Sequence, residues 1–302
     1  MIPQILVDGV TSGAMIALGA IGVTLTYGLL RFANFAHGEF ATWGAYAALV
    51  IAGGLGTLLG PGATFGDLTF GWHLVAALLG AVAFTALLAA ALDWVLFRKL
   101  RRQGNAIVLV IASFGASLAL RSALEFGFGG QPYYYTREIA MTVRLGAGMR
   151  ATLDQLVVLA VALALMTGTH LMLRYTALGR ALRATSENPD LARLAGIDVA
   201  RVVRVTWLLG GGMAAAAGVL LGITVQLRPS MGFELLLPLF AAAILGGIGS
   251  VPGAMVGGLV IGIAEAAAVP LAGAQYRAAV AFLVMLAMLL LRPRGLFGAR
   301  DA

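Results

Sequence analysis

The chain has no cysteine and few charged residues, and each of these features excludes some classes of protein or site. Without cysteine, disulfide bonds and thiolate metal ligands are excluded. Charged residues make up 11% of the sequence, whereas about a quarter is usual in soluble domains. Hydrophobic residues make up 61%, and the mean hydropathy is +0.96. This composition predicts a polytopic membrane protein that contacts the lipid bilayer along much of its length.

Lysine and histidine are also scarce, which argues against several kinds of site. Lys99 is the single lysine and lies outside any G-x-x-x-x-G-K-[ST] pattern, so the chain holds no P-loop. The three histidines are scattered and lack the spacing of a metal cage. We therefore predict no catalytic residue, no metal site and no cofactor in this chain. An intramembrane enzyme that uses Ser117 or a carboxylate is the minor alternative.

Long charge-free runs predict an all-α integral membrane protein with eight or nine spanning helices. A spanning helix needs about 20 mostly apolar residues. The predicted helices lie near 3–30, 40–57, 72–97, 105–128, 153–173, 204–226, 233–247, 252–270 and 275–291. Glycine pairs four residues apart, such as Gly9/Gly13 and Gly258/Gly262, predict close helix packing. We treat residues 1–302 as one transmembrane domain, with discontinuous helices where polar residues interrupt a run.

Basic residues are distributed unevenly between the two sides of this predicted membrane domain. Fourteen of the twenty lie at position 31 or within 98–102, 174–204 and 292–300. This is the positive-inside pattern, so the net charge of +7 does not indicate nucleic acid as a partner. With nine spans, the pattern predicts an external N-terminus and a cytoplasmic C-terminus.

Residues 174–204 form the one long segment rich in charge, with nine charged residues among 31. Asn188 and Pro189 are typical of the start of a helix, and Gly196 of the position after its end. They predict a short cytoplasmic helix at 189–195 that carries Leu191 and Leu194 on one face. A small apolar face outside the membrane is suited to docking in a groove of a partner. The alternative is that it lies on the lipid surface.

Ionisable side chains within or between apolar runs are the second candidate site. Placing a charged group at the bilayer centre costs about 2.5–3.5 kcal/mol on insertion scales. Asn34, His37 and Glu39 occupy a predicted non-helical break, and Glu265 lies in a later span. We predict that these four residues line a pathway or gate. The alternative is an interfacial turn that Glu39 caps, with Glu265 in a structural hydrogen bond.

Two further predictions concern the predicted helix at 105–128 and the external segment that follows it. Arg121 and Glu125 are four residues apart on a helix and are expected to pair. The external segment 129–152 contains three consecutive tyrosines from Tyr133, which fit an interfacial aromatic belt. This segment is either an anchored loop or a landing site for an external protein.

Four separated motifs resemble the permeases of branched-chain amino acid ABC importers. They are NFAHGEF at 34–40, GRALRA followed by A-x-x-x-G-I at 179–197, LGGIGSVPGA leading to G-x-x-E at 245–265, and RP-x-GLFG at 292–298. The resemblance covers essentially the whole chain and implies a multi-pass protein of a bacterial inner (plasma) membrane.

The resemblance also implies that different subunits carry out different steps of transport. Two homologous permeases would form the pore, cytoplasmic ABC ATPases would hydrolyse ATP, and an extracytoplasmic substrate-binding protein would deliver the substrate. The loop at about 174–204 would couple the permease to an ATPase. The residues expected to serve this coupling are Gly179, Arg180, Arg183, Glu187, Asp190, Leu191, Leu194, Gly196 and Ile197.

One departure from the family leaves the substrate open. The family often has a Lys-Ala-Phe run at the start of the seventh predicted helix, where this chain reads Leu237-Pro238-Leu239-Phe240. Branched-chain or other hydrophobic amino acids are the first expectation, and urea or amides are the alternative within the family. A proton-coupled secondary transporter of a small polar solute, with His37, Glu39 and Glu265 as the proton relay, is the alternative outside it.

Overall fold

The structure is a computed structural model that describes residues 2–60, 62–101, 104–136, 138, 140–146, 148–292 and 294–298. Three of the twenty basic residues lie outside the described residues: Arg102, Arg137 and Arg300. Pro293 of the last motif lies outside them as well.

The regular structure is almost entirely helical. In chain order the helices are α1 (Ile2–Leu30), α2 (His37–Leu59), α3 (Trp72–Leu92), α4 (Arg98–Leu100), α5 (Ala106–Phe128), α6 (Leu153–Tyr175), α7 (Ala177–Glu187), α8 (Pro189–Leu194), α9 (Val199–Thr224), α10 (Met231–Gly246), α11 (Val251–Ala272) and α12 (Arg277–Leu291). A π-helical turn, Asp93–Phe97, joins α3 to α4, and a 3₁₀ turn, Ala274–Tyr276, precedes α12.

Among the described residues, eight apolar stretches are long enough to cross a membrane, and α10 is a shorter apolar helix of 16 residues. The prediction of an all-α membrane protein with eight or nine apolar helices is thus confirmed. Two predicted bounds were wrong: α2 begins at His37 rather than near residue 40, and α9 begins at Val199 rather than near residue 204. Asn188 and Asp198 supply local N-terminal caps that divide the polar segment into short helices.

Helices α1 and α9 form the centre of the bundle. In each, 78% of an apolar 18-residue window is buried, compared with 6% of the stretch Ala274–Leu291, which contains α12. Helix α1 packs mainly against α11 and α9, and α9 also packs against α2 and α3. The helix α9 runs without interruption through three consecutive glycines, which face α1 and α3 rather than mark a break.

Close backbone contact between α1 and α11 depends on glycine. A Cβ atom added to Gly262 would overlap the backbone of Gly13, and one added to Gly258 would overlap the backbone of Ala17. Helices in lipid gain little from hydrophobic association, so this close van der Waals contact is what holds them together. The predicted role of the glycine pairs in packing is confirmed for these two helices.

The C-terminal segment closes the end of α10. The backbone N–H of Leu296 donates to the carbonyl of Leu245 at 2.8 Å, and that of Phe297 donates to the carbonyl of Gly246 at 3.0 Å. The last carbonyl groups of a helix have no partner within the helix. The C-terminal motif therefore supplies hydrogen bonds that α10 lacks.

The external segment contains a β-hairpin that the sequence did not predict. Strands β1 (Thr142–Gly146) and β2 (Met149–Thr152) pair in antiparallel fashion. Upstream, Tyr133 and Leu227 exchange two backbone hydrogen bonds of 3.0 and 2.8 Å. The hydroxyl of Tyr135 donates to the carbonyl of Ala45 at 2.8 Å. At least two of the three tyrosines thus anchor the segment to protein.

Candidate functional site

The connection between α1 and α2 is a short polar break at residues 31–36. Arg31 adopts a positive φ of 54°, which is uncommon for a residue other than glycine. The Oδ1 atom of Asn34 accepts a hydrogen bond from the N–H of Ala36 at 3.1 Å. The hydroxyl of Ser113, on α5, accepts a hydrogen bond from the N–H of Phe35 at 3.0 Å. The break therefore has a defined geometry, fixed partly by another helix.

The predicted non-helical break extended too far along the chain, because α2 begins at His37. His37 and Glu39 lie in the first turn of α2, and of the three candidate residues placed in the predicted break only Asn34 is outside a helix. Gly38 is also helical, and a Cβ atom there would overlap the backbone of Gly232 on α10.

A buried ion pair joins α2 to α5. The Nη2 atom of Arg121 and the hydroxyl of Ser117 both donate to Oε1 of Glu39, each at 3.1 Å. The Glu39 side chain is fully buried and that of Arg121 is 18% exposed. The guanidinium of Arg121 also lies 4.4 Å from the ring centroid of Phe233 on α10. Three helices thus meet around one buried carboxylate.

The predicted pair between Arg121 and Glu125 was wrong. Arg121 extends instead to Glu39, which is 82 residues distant in the sequence. A carboxylate buried without a cation is very costly, whereas Glu125 is exposed to solvent or lipid and has less need of a partner. Tertiary burial therefore outweighs the local helical spacing.

His37 and Glu265 do not join this ion pair. His37 is 1% exposed, and its Nε2–H donates to the carbonyl of Gly19 on α1 at 3.1 Å. Glu265 is 8% exposed on α11, and its Oε1 atom has no hydrogen-bond partner among the described residues. Helices α1 and α10 each contact both α2 and α11. Asn34, His37 and Glu39 are thus neighbours at the start of α2 with different partners, whereas Glu265 lies on α11 and forms no hydrogen bond with them.

The charge-rich segment folds into two short helices, α7 and α8, of which only α8 was predicted. Asn188 begins α8 as predicted, because its Oδ1 atom accepts from the N–H groups of Asp190 and Leu191, both at 3.0 Å. Gly196 follows the helix with a φ of 84°. Leu191 and Leu194 are 62% and 85% exposed. The predicted apolar face is therefore open.

The remaining coupling residues divide into two groups. Arg180, Arg183, Glu187 and Asp190 are exposed, whereas Gly179 is buried and Ile197 is half-buried. A Cβ on Gly179 would overlap the carbonyl group of Leu173, so this glycine fits the turn from α6 to α7. The guanidinium of Arg183 donates to the same carbonyl at 2.7 Å. Gly179 and Ile197 therefore shape the segment from inside.

One link between the two candidate regions was missed from the sequence. The Nη2 atom of Arg31, in the break, donates to the carbonyl of Ser186 near the end of α7 at 3.0 Å. The two residues are separated by 155 positions, so no local pattern indicates the contact. The unusual backbone of Arg31 carries no sequence signal either.

The described residues contain no group of three or more histidine, cysteine, aspartate or glutamate side chains able to hold a metal ion. The buried polar groups therefore offer hydrogen bonds and charges rather than a metal cage.

Known proteins resemble this chain over nearly its whole length. The sequence model described as "Branched-chain amino acid transport system / permease component" matches residues 5–289. The high-affinity branched-chain amino acid transport system permease protein LivH of Escherichia coli is 35% identical, over 98% of this chain and 95% of that protein. BraD of Pseudomonas aeruginosa, of the same description, is 34% identical over the same shares. No solved structure matches the chain.

An archaeal relative extends the comparison. The probable branched-chain amino acid transport permease protein LivH of Methanocaldococcus jannaschii is 30% identical, over 98% of this chain and 92% of that protein. Together with the eight long apolar helices, these matches identify a multi-pass protein of the inner, or plasma, membrane. The chain belongs to the family of branched-chain amino acid transport system permease components.

Proposed function

We propose that this permease carries amino acids with hydrophobic side chains as part of an ABC importer. Cytoplasmic ATPase subunits would dock on the segment at 174–204 and hydrolyse ATP, so that this chain itself needs no cofactor. A second, homologous permease subunit would complete the pore. An extracytoplasmic binding protein would deliver the substrate near the external segment 129–152. The names of the relatives support the substrate class.

The exposed face of α8 is the observation that carries this proposal. Leu191 and Leu194 are both largely exposed, although they lie in a segment with nine charges. Beside them, Arg193 and Asp190 form an exposed ion pair of 2.6 Å. Acidic and basic groups around a small apolar knob favour a protein groove over an anionic lipid surface.

A chain of contacts offers a route from α8 into the membrane. Helix α8 follows α7 directly, α7 is tied by Ser186 to Arg31, and the break that Arg31 begins leads into the turn that bears Glu39. Displacement of α7 by a partner would thus pull on the start of α2. That movement would change how α2, α5 and α10 meet, and we propose that it opens the path alternately to the two sides.

The surroundings of the ion pair favour an amino acid over urea or a neutral amide. Glu39 and Arg121 present opposite charges, which suit the ammonium and carboxylate groups of a zwitterion. Oε2 of Glu39 and Nε of Arg121 have no hydrogen-bond partner among the described groups. Phe35 lies against Phe114 and Phe240, with ring centroids 6.1 and 5.9 Å away. These rings offer apolar surface for a hydrophobic side chain.

The test is ATP-driven uptake of labelled leucine into membrane vesicles from the native host, with co-purification of an ATPase as the second readout. The test variant is Leu191→Asp/Leu194→Asp, and the matched control is Leu58→Asp/Leu59→Asp, whose leucines are 83% and 64% exposed on α2. We expect the test variant to lose uptake and to recover about ten-fold less ATPase, because charge disrupts an apolar hot spot. The control should keep both.

Two further measurements complete the test: competition by other solutes, and the energy source of uptake. Unlabelled isoleucine should block leucine uptake, whereas urea and acetamide should not. A protonophore should leave uptake intact while ATP is held constant. Uptake that stops with the protonophore, or that proceeds without an ATPase, contradicts the proposal and supports proton coupling. Competition by urea or acetamide contradicts the substrate class alone.

A further inference from the structure

A cavity of about 610 Å³ lies between the end of α3 and the segment that leads from α8 into α9. Four arginines line it, Arg98, Arg101, Arg193 and Arg204, and so does Trp94. An adjoining cavity of about 370 Å³ shares Arg98, Arg101 and Arg193. Neither cavity includes Glu39, Arg121 or the exposed leucines of α8. The cavity is therefore distinct from the ion pair and from the exposed leucines, although Arg193, Gly196 and Ile197 of the charge-rich segment line it.

The charges at this cavity are not balanced by the acids beside them. Asp93 is 4% exposed and forms an ion pair of 2.7 Å with Arg101. Asp198 accepts a hydrogen bond from the backbone of Arg201 as the cap of α9. Arg98 and Arg204 are exposed and have no carboxylate partner among the described residues. Two guanidinium groups thus remain for an anion.

The apolar lining residues of the cavity distinguish an amphiphile from a free anion. Trp94 is 66% exposed and its neighbour Val95 is 55% exposed, so this part of the π-helical turn faces out of the bundle. Tryptophan side chains concentrate at the interface between membrane and water. Ala200 and Val203 of α9 line the cavity beside it. A ligand with a phosphate at one end and an acyl chain at the other matches both the basic and the apolar lining residues.

We propose that this cavity binds the headgroup of an anionic phospholipid, with Arg98 and Arg204 on the phosphate and the acyl chains passing Trp94. Basic cavities between membrane helices on the cytoplasmic side are suited to such headgroups. The bound lipid would join the end of α3 to the start of α9, and so would tether the segment that carries α8 to the bilayer. This inference rests on the cavity alone and does not depend on the transported substrate.

The test is native mass spectrometry of the purified full chain with phosphatidylglycerol and with phosphatidylcholine of the same acyl chains. We expect one phosphatidylglycerol per chain to be retained in preference to phosphatidylcholine. The variant Arg98→Gln/Arg204→Gln should bind phosphatidylglycerol about thirty-fold more weakly, because each basic residue adds to attraction for an anionic lipid. The matched control Lys99→Gln/Arg174→Gln removes the same charge outside the cavity and should bind as the unmodified chain does.

A second variant separates lost binding from lost folding. Ala200→Trp places a large side chain in the cavity and leaves every arginine in place. We expect it to lose lipid binding while its melting temperature without lipid stays unchanged. Equal retention by the arginine variant and the unmodified chain would overturn the proposal, as would equal loss in the control. Binding of inorganic phosphate that displaces the lipid would identify a free phosphate as the ligand. Loss of lipid whenever an ATPase is bound would identify a partner protein as the occupant.

Discussion

Helices α1 and α5 are both apolar and of spanning length, yet they occupy opposite situations in the bundle. The most apolar window of α1 is 78% buried and that of α5 is 22% buried. Gly13 of α1 abuts the backbone of α11, whereas a Cβ on Gly115 of α5 would meet nothing within 4 Å. Hydropathy identifies both as membrane helices, but close contact at small residues distinguishes the centre from the rim.

The rim presents large apolar side chains where the centre presents small ones. Ile107, Ile111, Phe114 and Leu118 form one exposed stripe along α5, with exposed fractions from 43% to 67%. Their spacing of three and four residues places them on a single helical face. Such a face is suited to lipid or to a second permease. The ion pair between Arg121 and Glu39 is one tie between this rim helix and α2.

Disrupting the ion pair between Arg121 and Glu39 should give the largest loss of stability. Arg121→Gln leaves Glu39 buried without its cation, and removing one partner of a buried pair costs about 3–5 kcal/mol. We expect a correspondingly lower free energy of unfolding, measured by denaturant titration in micelles. Glu39→Gln/Arg121→Gln removes both charges and should recover most of the loss. If the double variant is as unstable as Arg121→Gln, then the ion pair is not the source of the effect.

Filling the contact between α1 and α11 should give the next largest effect. Gly262→Leu forces the backbone of α11 away from Gly13, and overpacking costs about 1–3 kcal/mol. The melting temperature of the purified chain is the measurement. Gly115→Leu is the control on the rim and should leave that temperature nearly unchanged. Equal losses in the two variants would abolish the distinction between centre and rim.

A smaller effect is expected outside the membrane. Asn188→Ala removes the oxygen that accepts from two N–H groups of α8, and the loss of such a cap costs about 1 kcal/mol. We expect faster amide hydrogen exchange at 189–194 and an unchanged global melting temperature. Leu194→Ala, at a site that is 85% exposed, should not speed exchange. A fall in the global melting temperature for Asn188→Ala would mean that α8 unfolds together with the spans.

Local signals explain what the sequence predicted well. Helix α8 was expected because its cap, its proline and its final glycine are neighbours in the chain. Helix α7 was missed although Leu178, Ala181 and Leu182 pack in or against the core, because the charge-rich segment around it was predicted to be a loop. The partner of Arg121 was missed because a closer acid, Glu125, satisfied the helical spacing. Contacts between residues 82 or 155 positions apart have no periodicity from which to be inferred.

The two hydrogen bonds that close α10 also impose an order on synthesis. Leu245 and Gly246 leave the ribosome before Leu296 and Phe297, which donate to their carbonyls. These donors follow about fifty residues later, an interval of several seconds at ~5–20 residues per second. Until these donors are synthesised, the end of α10 lacks both hydrogen bonds. A nascent chain stalled within α12 would therefore hold an unfinished helix end.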